Sequence, residues 1–130
     1  MIRYRRVPDD LRPDQLTGFF VGWPSPPSPD EHLTILRRAQ HAVLAFDGDR
    51  VVGFVTGLSD GVFSAYLPLL EVLPEYQGRG IGQELVKRIV DEIGAVYSID
   101  IVCDDDVVPF YDKLGFLKVR GMVFRPSRDS

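Results

Sequence analysis

Runs of apolar residues along the chain predict a series of short strands. Residues 42–46 and 51–58 are two such runs, and the intervening residues 47–50 favour a tight hairpin turn. A third strand is expected at 63–73, and further strands at 97–102 and 117–124. Pro68 lies inside the third of these strands and has no N–H to give to a ladder, so a bulge or a splay is expected there.

Apolar positions at helical spacing predict four helices, at 13–23, from Ser28 to about 39, at 81–94 and at 106–114. Ser28 and Glu31 form a capping-box pattern with Pro29 in the first turn. The third helix has one apolar stripe and ends at Gly94. Asp106 is expected to cap the fourth.

The resulting order is strand, two helices, three strands, helix, strand, helix, strand. Hairpins that precede a strand–helix–strand unit predict a mixed sheet with helices packed on it. We therefore expect an α/β (α+β) fold with a mostly antiparallel central sheet of about six strands and about four flanking helices. A length of 130 residues fits one domain spanning residues 1–130.

Composition excludes several classes of protein. A formal net charge of −4 argues against a nucleic-acid binder, whose phosphate contacts require a basic face. No apolar run approaches the roughly 20 residues of a membrane span. Cys103, His32 and His41 are too few and wrongly spaced for a structural metal site, and one cysteine cannot form an internal disulfide. We expect a soluble, cytoplasmic protein without a metal, in which both histidines have structural or surface roles.

The most informative segment is Gln-Gly-Arg-Gly-Ile-Gly at 77–82, between the third predicted strand and the third predicted helix. Glycines at the start of a helix expose backbone N–H groups to which a phosphate can bind, and Arg79 adds a positive charge. Glycines can also simply permit a tight turn. A dinucleotide fingerprint requires glycine at 83 or 85, where the chain has Gln83 and Leu85, and no P-loop lysine follows.

Gln77, Gly80 and Gly82 match the Q/R-x-x-G-x-G/A acyl-CoA signature of the GNAT acetyltransferase superfamily, which this sequence resembles. Residues 108–116 resemble the family's second coenzyme A segment, of the F-Y-x-K-x-G-F type. The resemblance covers roughly residues 69–116. It implies a GNAT-type sheet with a splayed central strand pair, and acetyl-CoA as the co-substrate.

The resemblance also implies which residues contact acetyl-CoA. The backbone of Leu70, Glu71 and Val72 would pair with the pantetheine arm like an added strand. The remaining implied contacts are Gln77, Gly78, Arg79, Gly80, Ile81, Gly82, Asp104, Phe110, Tyr111 and Lys113. Asp104 stands where the family often has asparagine, so it could accept a hydrogen bond but could not donate one as an amide does.

Two side chains are candidates for the chemistry that the resemblance implies. Tyr111 would be the acid for the departing thiolate, and Glu71 would take the amine proton or attract a cationic amine. The Val72 N–H would stabilise the oxyanion. The structural alternatives are that Tyr111 is a core aromatic residue and that Glu71 is a solvent-facing strand residue.

Trp23, which begins the proline-rich segment 23–29, would contact the amine by cation–π attraction or cap the core. We expect an N-acetyltransferase that acts by direct attack of a primary amine in a ternary complex. The acceptor would be a small molecule or a peptide, and a homodimer is possible. The alternatives are a non-catalytic acyl-CoA sensor and a dinucleotide-dependent oxidoreductase.

Overall fold

A six-stranded sheet forms the centre of the structure, a computed structural model that describes residues 1–126. Its strands are β1 Ile2–Arg5, β2 His41–Asp47, β3 Arg50–Ser59, β4 Ser64–Tyr66, β5 Leu70–Val72 and β6 Ser98–Asp100. The order is β1-β2-β3-β4-β6, and β5 pairs with β3. Only β4 and β6 are parallel, so the sheet is mixed and mostly antiparallel, as predicted.

Three α-helices are described: α1 Pro29–Arg38, α2 Ile81–Ile93 and α3 Val108–Lys113. The first two pack on opposite faces of the sheet. The predicted capping box opens α1, where the Glu31 N–H donates to Ser28 Oγ at 3.1 Å and the Ser28 N–H donates to Glu31 Oε1 at 2.9 Å. Gly94 ends α2 with a φ of +82°, also as predicted. The start of α3 at Val108 is two residues later than expected, because a 3₁₀ turn precedes it.

The predicted helix at 13–23 was wrong. Only the 3₁₀ turn Pro13–Leu16 forms there, and Gly18, Phe20 and Gly22 take φ values of +94°, +64° and +80°. Left-handed residues at every second position cannot continue a right-handed helix. Residues 1–126 therefore contain three α-helices, one fewer than the sequence suggested.

The strand predicted at 117–124 was also wrong. No strand is assigned there, and residues 117–126 are all exposed. The third predicted strand, 63–73, is instead divided into β4 and β5, so the sheet reaches six strands by a different route. The periodicity at 117–124 was strand-like, but a strand also needs a neighbour for its backbone groups.

The core has two layers, one on each side of the sheet. Phe54 of β3 packs with Leu36 of α1 on one side, together with the segment that follows the 3₁₀ turn. Val55 packs with Leu85 and Ile89 of α2 on the other. Burial of each such side chain stabilises the fold by roughly 1.5–3 kcal/mol.

The sheet splays at the proline noted in the sequence. Pairing of β4 with β6 ends where the Leu67 N–H donates to the Asp100 carbonyl at 3.0 Å. Pro68 follows, and β5 then pairs only with β3. One edge of β5 is therefore open, as expected from a proline that cannot continue the ladder.

Candidate active site

The open edge of β5 presents the backbone of two residues. The Thr56 N–H donates to Leu69 O at 3.0 Å and the Leu73 N–H to Val52 O at 2.8 Å. Because hydrogen-bonded pairs alternate in an antiparallel ladder, the backbone of Glu71 faces β3 while Leu70 and Val72 face away. The strand-like pairing expected for all three residues is therefore open to Leu70 and Val72 but not to the backbone of Glu71.

Gln77 is tied to this edge. Its side-chain Nε2 donates to the Val72 carbonyl at 3.0 Å. Within residues 1–126, the Val72 N–H and both backbone groups of Leu70 have no hydrogen bond. The edge thus offers two donors and one acceptor to an extended ligand, and the signature glutamine holds the fourth group.

The glycines of the turn are required for different reasons. Gly78 and Gly80 have φ values of +79° and +81°, and a Cβ on either would meet nothing within 4 Å, so their conformation requires glycine. Gly82 has an ordinary φ, but its Cβ would lie 3.3 Å from Phe110 Cζ and 3.7 Å from Val72 Cγ2. Gly82 therefore brings together β5, the start of α2 and α3, which carry the two predicted coenzyme A segments.

The N-terminus of α2 can bind an anion. Gly80 is its N-cap and makes no side-chain cap, so the N–H groups of the first turn, which starts at Ile81, lack a capping side chain. Arg79 lies beside this turn, with one Nη donating to Glu75 O at 3.0 Å and its guanidinium 4.9 Å from the Tyr76 ring centroid. Within residues 1–126 its other N–H groups make no hydrogen bond, so they can donate to a ligand.

Glu71 is half-buried and has one oxygen held in place and one without a partner. Oε1 accepts the Phe20 N–H at 2.9 Å, whereas Oε2 is buried and makes no hydrogen bond within the described chain. Burial raises the pKa of Glu71, and the hydrogen bond from Phe20 partly opposes that rise. A buried oxygen of raised basicity is suited to accept a proton, so Glu71 is not the solvent-facing residue of the structural alternative.

A cluster of aromatic rings packs on the side of the sheet to which the Glu71 side chain points. Phe54 lies directly opposite Glu71 in the ladder, and its ring centroid is 4.4 Å from that of His32 and 5.9 Å from that of Phe20. Trp23, 44% exposed, packs its ring 4.9 Å from Phe20. The proline-rich segment thus meets the Glu71 side of the sheet through these two rings.

Tyr111 lies on α3 and is 8% exposed. Its ring packs 5.0 Å from Phe110 and 5.3 Å from Phe116, and its hydroxyl makes no hydrogen bond within residues 1–126. Burial, with a smaller contribution from Cys103, raises the pKa of Tyr111 to about 12. The phenol therefore keeps its proton at neutral pH, as an acid requires, although its ring is also part of the core.

The other candidate residues lie at the surface. Asp104 and Lys113 are exposed, and their side chains make no hydrogen bond or ion pair in the part of the chain described, although the Asp104 carbonyl accepts the Val107 N–H at 3.0 Å. In the same range, no three side chains of the metal-binding types come together, and no helix has the length and apolarity to cross a membrane. His41 is at the start of β2, where its Nδ1 is 2.7 Å from Glu92 Oε2.

The sequence did not identify Phe20 and His32 as neighbours of the site. Phe20 contributes its backbone N–H, which no residue pattern indicates. The nearest signal was the pair Gly18 and Gly22, which marks a turn around Phe20. His32 is 1% exposed, neither ring nitrogen has a hydrogen-bond partner among the described residues, and burial lowers its pKa to about 4. It is therefore a neutral member of the aromatic cluster.

The chain is similar to a known protein family and to a solved structure. The family model "Acetyltransferase (GNAT) family" matches residues 9–116. A crystal structure of a candidate acetyltransferase from Deinococcus radiodurans R1 is 45% identical, with a TM-score of 0.91 over 95% of this chain and 87% of that chain.

Two curated relatives match shorter stretches. The uncharacterized N-acetyltransferase ycf52 of Pyropia yezoensis is 32% identical over 59% of this chain and 48% of its own length. Serotonin N-acetyltransferase 2, chloroplastic, of Oryza sativa subsp. japonica is 36% identical over 61% of this chain and 42% of its own length. The chain thus spans about half of the length of the curated relatives it matches. Because the family model covers most of the chain and agrees with the fold, this chain belongs to the GNAT acetyltransferase family.

Proposed function

We propose that the chain is an N-acetyltransferase that moves the acetyl group of acetyl-CoA to a primary amine by direct attack in a ternary complex. The observation that carries the proposal is that the open strand edge, the glycine turn and a buried carboxylate adjoin one another. The open edge of β5 leads into the glycine turn, and Glu71 lies on β5 with its unpartnered Oε2. No second candidate function has an observation of its own.

The residues fit the two ends of acetyl-CoA. An amide-containing arm can pair with the free backbone groups of Leu70 and Val72, as an added strand does. A pyrophosphate can be bound by the uncapped first turn of α2, where Gly78 and Gly80 leave the backbone accessible. The substrate supplies an activated thioester, and the protein supplies its orientation and the groups that move protons.

Three groups of the chain would carry the acyl transfer. The Val72 N–H points away from β3 and can donate to the negative charge that develops on the carbonyl oxygen. Glu71 Oε2 would accept the proton of the amine, directly or through a water molecule. The Tyr111 hydroxyl would protonate the thiolate, and its pKa of about 12 keeps it in the acid form.

A cationic amine attached to an aromatic or apolar group is the acceptor that this site favours. Glu71 provides a carboxylate that holds the Phe20 N–H and lies opposite Phe54 in the ladder. Trp23, which is 44% exposed, packs on the buried Phe20 ring and is the ring of this cluster that an acceptor can reach. Such rings attract cations and apolar groups together. The name of the rice relative, a serotonin N-acetyltransferase, supports the same class of amine.

The test has two stages. Acetyl-CoA should raise the melting temperature, whereas NADH should not, because a dinucleotide fingerprint is missing at Gln83 and Leu85. A thiol-release assay should then find turnover with arylalkylamines above that with amino acids or polyamines. Absence of any shift with acetyl-CoA would refute the donor. A shift without thiol release from any amine would refute catalysis and favour an acyl-CoA sensor.

A paired substitution separates the acceptor site from the donor site. Trp23→Ala should raise the KM for an arylalkylamine while leaving the acetyl-CoA shift unchanged. Val21→Ala, at a neighbouring position that is 69% exposed, is the control and should change neither quantity. An equal effect of both substitutions would mean that Trp23 does not contact the acceptor.

A further inference from the structure

The tip of the hairpin between β2 and β3 contacts the segment that leads into the glycine turn. The hydroxyl of Tyr76 donates to Oδ2 of Asp47, the last residue of β2, at 2.5 Å. Tyr76 ends the 3₁₀ turn Pro74–Tyr76, and Gln77 of the signature follows it directly. One side-chain hydrogen bond thus joins the hairpin to the start of the signature, although the proposed chemistry uses neither Asp47 nor Tyr76.

The ring of Tyr76 supports the guanidinium of Arg79. The guanidinium carbon lies 4.9 Å from the ring centroid, a distance at which the ring attracts a cation. A phenol that donates to a carboxylate has a more electron-rich ring, which strengthens this attraction. The same hydrogen bond to Asp47 raises the pKa of Tyr76, so the phenol keeps its proton. Asp47 therefore acts on Arg79 through the ring between them.

The charge of Arg79 is not neutralised by a carboxylate of the described chain. Within residues 1–126 Arg79 makes no ion pair, and Glu75, the nearest acidic residue in the sequence, pairs with Arg50 at 3.5 Å. Arg79 is exposed beside the uncapped first turn of α2. A guanidinium in this position suits a phosphate group, because its planar fork of donors matches the phosphate oxygens.

A free arginine side chain samples many rotamers, and fixing it when a ligand binds costs free energy. Arg79 is restrained at two points before a ligand arrives, by the Tyr76 ring and by the Glu75 carbonyl, which accepts one Nη at 3.0 Å. Restraint of this kind tightens binding without adding a contact to the ligand.

We propose that Asp47, acting through Tyr76, positions Arg79 to bind the phosphate groups of the acyl donor. Asp47 and Tyr76 are positioning residues and do not touch the reacting atoms. Because acetyl-CoA is the proposed donor, this role rests on the proposed function. The hairpin tip therefore sets the affinity for the donor and leaves the rate of acyl transfer unchanged.

The first test is the dissociation constant of coenzyme A, measured by isothermal titration calorimetry with the full chain. Tyr76→Phe keeps the ring and removes the hydroxyl, whereas Asp47→Ala removes the acceptor. Each should weaken binding by about 2–10-fold, as expected when one long side chain must be ordered on binding. Arg79→Ala should weaken binding at least as much, and Tyr76→Phe should cause no further loss when Arg79 is already alanine.

A kinetic test separates positioning from a general loss of structure. With acetyl-CoA and an arylalkylamine, Tyr76→Phe should raise the KM for the donor by a similar factor and leave kcat unchanged. With S-acetylpantetheine, a donor that has no phosphate groups, Tyr76→Phe and the unmodified chain should have the same kcat/KM. An equal loss with both donors would overturn the role.

Asp49→Ala and Tyr97→Phe are the matched controls, and neither should change coenzyme A binding. Asp49 lies on the same hairpin tip, and its side chain makes no hydrogen bond or ion pair among the described residues. Tyr97 is 79% exposed and lies beside β6. Circular dichroism should show that all of these variants are folded.

Two binding results distinguish this role from the donor on which it rests. No coenzyme A binding by the unmodified chain would refute the proposed donor and the role together. Coenzyme A binding that is unchanged in Tyr76→Phe and Asp47→Ala would overturn the role alone. A loss from Tyr76→Phe that is equally large with and without Arg79 would also overturn it, because Tyr76 would then not act through Arg79.

Discussion

Glu71 serves two purposes that substitution can separate. Its Oε1 holds the Phe20 N–H at 2.9 Å, and its Oε2 is the proposed proton acceptor. Glu71→Gln keeps an oxygen that can accept the Phe20 N–H but cannot take a proton. Glu71→Ala removes both functions. We expect both variants to lose turnover, and only Glu71→Ala to lose stability.

The expected magnitudes follow from these contacts. Phe20 is 4% exposed, so its N–H would be left buried and unpaired in Glu71→Ala. An unsatisfied buried donor costs about 1–3 kcal/mol. In a domain of this size, each kcal/mol lowers the melting temperature by about 3–5 °C. Loss of a general base lowers turnover by about 10²–10⁴-fold, and this loss should be similar in both variants.

The pH dependence of stability gives a second readout. Burial raises the folded-state pKa of Glu71, so the fold favours its protonated form. The resulting stability is present below the unfolded-state pKa and is lost as pH rises through the folded-state value. The melting temperature of Glu71→Gln minus that of the unmodified protein should therefore increase as pH rises through this range. The acid limb of the rate profile should shift or disappear in the same variant.

Thermal unfolding and thiol release measure these quantities. Glu75→Gln is the control, because Glu75 is an exposed carboxylate whose ion pair with Arg50 is at 3.5 Å. Glu75→Gln should retain both turnover and stability. Equal melting temperatures for Glu71→Gln and Glu71→Ala would refute the anchoring of Phe20. Undiminished turnover in Glu71→Gln would refute the role of Oε2.

Three further predictions concern other parts of the site. Gly80→Ala should lower the melting temperature by roughly 3–10 °C and weaken the acetyl-CoA shift, because alanine at a φ of +81° costs about 1–2 kcal/mol. An unchanged melting temperature would contradict this prediction. The unmodified protein should lose stability as pH falls from about 6.5 to about 4, because in this range only the unfolded chain binds a proton on His32. His32→Leu should remove this loss, and denaturation at several pH values would detect the difference. Tyr111→Phe should lower kcat more than it weakens acetyl-CoA binding, and the basic limb of the rate profile should stay in place, because a pKa of about 12 lies above the measurable range.

The parts of the fold that the sequence predicted are those with strong local signals. The capping box at Ser28, Gly94 at the end of α2 and the hairpin at 47–50 each depend on residues within one turn of each other. Pro68 also predicted correctly that the sheet would splay, because a missing N–H acts on the ladder at its own position. The glycine turn at 77–82 was also identified, because its residues are adjacent in the sequence.

The lack of a strand at 117–124 could not be predicted, because whether a strand forms depends on a neighbour that is distant in the sequence. Leu117, Val119 and Val123 alternate as in a strand, but alternation states only that one face would be apolar and does not identify the neighbour that would pair with it. The backbone of Glu71 was misassigned for a related reason. Its direction depends on register with β3, which the Thr56–Leu69 and Val52–Leu73 hydrogen bonds fix and which no local pattern reveals.

The segment 13–23 shows how a helical pattern can be overruled by a few glycines. Leu16, Phe19, Phe20 and Trp23 have helical spacing because they must reach one apolar layer, and a compact turn meets that requirement as well as a helix does. Gly18 and Gly22 decide between these structures, since each takes a positive φ. The turn also forces Phe20 to a φ of +64°, a conformation that is costly for a bulky residue, and its N–H is held by Glu71. The strained Phe20 and the proposed base Glu71 therefore stabilise each other. The helical pattern gives the wrong structure at this position because the chain departs there from its local preference to form the site.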